Sequence, residues 1–159
     1  MIGAMKFPIE SYRAAIESFY RKMIERESLS DASLGDGEWT LRDMVAHLID
    51  SFTNNHQRFV RLQLESRLHF PAYEAETWRS VQRVDSLGYR FICDLWRANN
   101  LYLLAVIEGI DESCLGNVWE TPEGPKTLEF LVKDYFRHLE WHVDFFDRRV
   151  EALLESGLR

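Results

Sequence analysis

Four stretches of this chain repeat apolar residues at steps of three and four, a period that commits most of it to amphipathic helices sharing one core. The first begins near Pro8, a residue suited to a helix's first turn, and carries Ile9, Tyr12, Ile16, Phe19 and Met23 on one stripe. Ser, Asp and Gly in 29–38 end it. Thr40 opens the second as an N-cap, with Asp43 placed for a near capping box. Its stripe is Leu41, Met44, Val45, Leu48, Phe52 and Phe59, running to about Arg67. After a connection holding Pro71, a third helix is expected from Thr77 through Val84, Phe91, Leu95, Tyr102 and Val106, closed by Gly109. Residues 117–126 turn to Val-Trp-Glu-Thr and then Pro-Glu-Gly-Pro, a short hairpin or extended excursion. Thr127 then caps a fourth helix reaching about Glu155. With no linker or repeat, residues 1–159 are expected to form a single all-α domain, a four-helix bundle.

Composition matters here for what it excludes. A net charge of −7 argues against a nucleic-acid partner, which needs a basic face. No run approaches a membrane span, and the first residues lack the apolar core of a signal peptide, so a cytoplasmic protein is expected. Cys93 and Cys114 show no disulfide spacing. Cys93 reads as a small buried hydrophobe and Cys114 as the more accessible thiol. The five Trp, at 39, 78, 96, 119 and 141, read as core and packing anchors.

The chemistry lies in the histidines. His138 and His142 are four apart in the last helix, so both leave one face about a turn apart. That face flanks the apolar arc of Leu128, Leu131, Tyr135, Leu139, Phe146 and Leu153, opposite Glu129, Lys133, Arg137, Glu140, Asp144 and Glu151. A lone inward histidine is more often a hydrogen-bonded core residue; two stacked imidazoles must both find polar partners in one small space. A third metal ligand comes from His47, His56 or His69. His47 is favoured, because it shares an edge of its helix with Ser51, Asn54 and Arg58. Two other helical metal patterns are excluded: His138 is followed by Leu139 rather than the Glu of a zincin, and no Glu-x-x-His repeat of a di-iron bundle occurs.

Three fragments in order carry a family resemblance. Trp39-Thr40-Leu41-Arg42-Asp43 leading to His47-Leu48-Ile49-Asp50, Gly124-Pro125-Lys126-Thr127-Leu128, and His138-Leu139-Glu140-Trp141-His142 resemble the DinB-like or YfiT-like bundle proteins. The resemblance implies a left-handed up-down-down-up bundle with a three-histidine metal site, and it resolves the third ligand as His47. The departure is Trp141, where relatives often carry another His.

Three neutral imidazoles would leave a divalent ion, Zn²⁺ or Ni²⁺, its charge and an open position to activate water or a thiol. The resemblance therefore implies a metal-dependent hydrolase or an S-transferase, the latter with a low-molecular-weight thiol as co-substrate. The alternative is a non-catalytic metal-binding protein. Asn54, Arg58 and Asn99 are second-tier candidates for orienting a substrate, with ordinary helix-contact roles favoured for each. Ion binding is expected to weaken as pH falls through the ordinary histidine range near 6.5. A homodimer is expected through the outward Ile49, Val60 and Leu64.

Overall fold

The computed structural model describes residues 7–157. Its helices are α1 (Ile9–Glu25), α2 (Leu41–Arg61), a short α3 (Ala75–Val81), α4 (Tyr89–Glu108) and α5 (Leu128–Glu155). Side-chain pairs give their directions. Glu17 and Tyr20 on α1 bond Arg97 and Asp94 on α4, so these two run antiparallel. Arg42 reaches the Leu87 carbonyl before α4, and His56 meets Tyr102, so α2 and α4 run parallel. His47 lies beside His142, and Phe59 beside Tyr135, so α2 and α5 are antiparallel. Tyr12 stacks on Phe136, and Phe19 meets Phe146, so α1 and α5 are parallel. The four long helices, α1, α2, α4 and α5, thus run up, down, down and up.

Local chemistry accounts for the ends that position the site. The Thr40 side chain accepts from the Asp43 amide, and the Asp43 carboxylate accepts from the Thr40 amide at 2.9 Å, completing the capping box. Thr40→Ala is expected to cost about 0.5–2 kcal/mol. Thermal unfolding and metal analysis check this: stability should fall while ion stoichiometry holds, and a loss of ion at unchanged stability would move Thr40 into the site. At the start of α5 the Thr127 hydroxyl accepts from the Phe130 amide at 3.1 Å.

Two expectations need correction. The second helix ends at Arg61 rather than near Arg67, because its apolar stripe stops at Leu62 and Leu64 is 81% exposed. The Asn117 amide takes the Leu62 carbonyl at 2.6 Å, and the chain turns into strand β1 (Arg67–Leu68). That strand pairs in parallel with β2 (Val118–Trp119), which pairs antiparallel with β3 (Lys126–Thr127). The expected excursion is thus a hairpin; its turn holds Gly124 at φ 112°, a region costly for other residues.

The expected third helix is two helices, α3 and α4, parted by a turn at Val84–Ser86 and by Gly88, the N-cap of α4. Its core face is also different. Phe91, Leu95 and Tyr102 are exposed, while Ile92, Trp96, Leu103 and Ile107, one position further on, fill the interior. Both sets satisfy helical spacing, so periodicity alone does not choose between them. Among the described residues, no helix is long and apolar enough to cross a membrane.

Candidate metal centre

The antiparallel contact of α2 with α5 brings His47 opposite His138 and His142. The His138 and His142 Nε2 atoms are 3.0 Å apart, and one nitrogen from each of the three rings lies within 4.8 Å of the others. Tetrahedral bonds of 2.0–2.1 Å from zinc to nitrogen set neighbouring ligand nitrogens about 3.3 Å apart, so the His138–His142 pair is near that spacing and His47 stands further off. The Nδ1 atoms of His47 and His142 are buried with no protein partner. The facing Nε2 atoms of His138 and His142, in a group of all-imidazole donors with no acid among them, suit a cation. The residues present therefore fit a divalent ion.

Electrostatics hold the rings neutral, the form that ligation requires. Burial, then the neighbouring His138, pushes the His47 pKa down to about 4. Burial, then His138 and His47, pushes His142 down to about 3. Burial lowers His138 as well, against the opposing field of Asp134.

The rings open on one side into a cavity of about 380 Å³ walled by Trp39, Trp141, Phe145 and Ala75. Trp141 is 52% exposed and lies edge-on to His142 at 4.8 Å between ring centres. Trp39 meets His47 at 5.2 Å, and its indole nitrogen donates to Glu76 on α3 at 2.6 Å. The short α3 thus braces the wall. Arg149 also lines the cavity, bonded to Glu38 at 2.8 Å and lying over Phe145.

The other sequence candidates separate clearly. His56 lies on another edge of α2, between Phe52 and Tyr102, and His69 is exposed beyond β1. The Asn54 amide donates to the Asp50 carbonyl one turn back, an ordinary helix contact. Asn99 is half-buried on α4, which contributes no residue to the cavity walls. Arg58 is buried near His138 in a second cavity. Trp96 and Trp119 are core residues as expected, but Trp39 and Trp141 are walls of the site. The sequence signals were that Trp39 opens the fragment leading to His47 and that Trp141 precedes His142, with Phe145 one turn later.

No protein-family model matches the chain, and no curated protein does. A solved structure does: YfiT from Bacillus subtilis, described as "a probable metal-dependent hydrolase with an unusual four-helix bundle topology". The TM-score is 0.69 over 95% of this chain and 92% of that one, at 20% identity. The fold is that of YfiT. The likeness to YfiT is one of fold.

Proposed function

We propose that the chain is a metal-dependent hydrolase in which His47, His138 and His142 hold one divalent ion, zinc or nickel. The observation that carries this reading is the convergence of three neutral imidazoles at the floor of an open cavity. The fold it shares with YfiT supports the reaction class. A bound ion with an open position would lower the pKa of water toward about 7, or do the same for a thiol. The protein's own part is to keep the rings unprotonated and to enclose an organic substrate. Trp39, Trp141 and Phe145 offer flat apolar faces, while Arg149, paired with Glu38, lines the same cavity.

An assay of ion-loaded protein against ester and amide substrates tests the proposal, run beside a panel of glutathione, bacillithiol and mycothiol with an electrophile. Hydrolysis that disappears in His138→Ala supports it. Thiol conjugation without hydrolysis would replace it with an S-transferase, and silence in both panels with ion bound would leave a non-catalytic metal protein. We also propose a homodimer. Leu64 and the exposed Phe91, Leu95 and Tyr102 on neighbouring α4 supply apolar surface, while Ile49 and Val60 are half-buried. A monomer by sedimentation at micromolar concentration would remove it.

A further inference from the structure

On the far side of His138 a second cavity, of about 170 Å³, lies between α2, α5 and the hairpin. Its notable member is Arg58, only 6% exposed. The guanidinium lies 3.8 Å over the Trp119 ring, and one nitrogen makes a long 3.4 Å contact with the Asn55 side chain. Its Nε is buried with no partner. Among the described residues no carboxylate comes within ion-pair distance of Arg58, although the chain carries 26 acidic residues against 19 basic ones. The carboxylate lining this cavity, Asp134, is bonded to Arg137 instead. Lys126, from β3, lines the same space and its Nζ lies 5.9 Å from the centre of the Trp119 ring. Ser51 and the Tyr73 phenol complete a polar lining.

Burying a guanidinium without a counter-ion is costly, and arginine does not escape by losing its proton. Stacking on Trp119 offsets part of that cost and leaves the charge without a counter-ion. What answers it must be small, to fit the cavity, and anionic, to match two cations. The planar fork of Arg58 favours a carboxylate, whose two oxygens it meets side by side. His138 lines both this cavity and the aromatic one, so a molecule seated on Arg58 lies against one of the three histidines.

We infer that Arg58 and Lys126 form an anion subsite that takes the carboxylate of the substrate. That the anion belongs to the substrate rests on the metal-site reading; that the subsite binds a carboxylate does not. The experiment is therefore done on metal-free protein. Acetate and succinate are titrated while the Arg58 Nε–H and Trp119 indole N–H resonances are followed, with acetamide as the neutral control and inorganic phosphate as the rival anion. Both resonances should shift saturably with the carboxylates and not with acetamide. Arg58→Met should weaken binding about tenfold or more at the Trp119 signal, and Lys126→Met should weaken it by less. His142→Ala, which lies outside this cavity, should bind acetate as the parent does while failing to hold an ion. Absence of saturation, or equal binding in Lys126→Met and in a folded Arg58→Met, overturns the subsite. Should Arg58→Met fail to fold, Lys126→Met alone decides. Phosphate binding in place of carboxylate overturns the substrate class.

Discussion

Replacing His142 by alanine is expected to lower affinity for Zn²⁺ or Ni²⁺ by at least about 100-fold, since losing only an outer partner of a metal ligand already costs 10–100-fold. The ring is buried, its Nε2 lies 3.0 Å from that of His138, and the group itself contains no carboxylate. Removing it leaves His47 and His138 alone to hold the ion. The bundle should keep its helix content, because the apolar core that includes Phe19, Phe59, Trp96 and Phe146 is left intact. His56→Ala and His69→Ala should match the parent, since neither ring joins the group. Competition against a chelator, with circular dichroism alongside, checks all three variants. Equal affinity in parent and His142→Ala would remove the centre.

What the sequence allowed one to read follows the range of the physics. The Thr40–Asp43 box spans three residues and the His138–His142 pair spans four, so both are set by one turn of helix. The stripe of α1 is buried as read at Ile9, Ile16, Phe19 and Met23. The break before α4 was hidden because Val81, Val84 and Leu87 carry apolar spacing toward Gly88, although all but the half-buried Val84 are exposed. The cavity walls were hidden for a different reason. Glu38 and Arg149 are 111 residues apart, and Trp39 is braced by Glu76 from a helix too short to announce itself. Arg58 lay in plain view as a polar neighbour of His47, yet its missing counter-ion is a statement about every acid in the fold.

Metal-free protein is expected to lose stability steadily as pH falls from about 6.5, the unfolded histidine value. In the fold His47 titrates at about 4 and His142 at about 3, with His138 and His56 also lowered, chiefly by burial. Between those values and 6.5 the unfolded chain binds protons that the native protein refuses. Stability therefore rises with pH across this window and is complete only above it. Asp50 works the other way: burial raises its carboxyl, so the native state takes that proton more readily and gains from acid. Four lowered histidines against this one carboxyl give a net loss on acidification. The same neutrality protects the centre while the protein stays folded, because protons compete for His47 and His142 only near pH 4. Ion release should then lag well below the ordinary range near 6.5. Denaturant unfolding across a pH series from about 7.5 to about 4.5 measures the first effect, and ion content of folded protein over the same series measures the second. The His47→Ala/His142→Ala double variant should show a shallower slope, leaving the share of His138 and His56. A parent whose stability is flat across the series would mean that the three rings are solvated, and the buried, unprotonated cluster described above would not exist in solution.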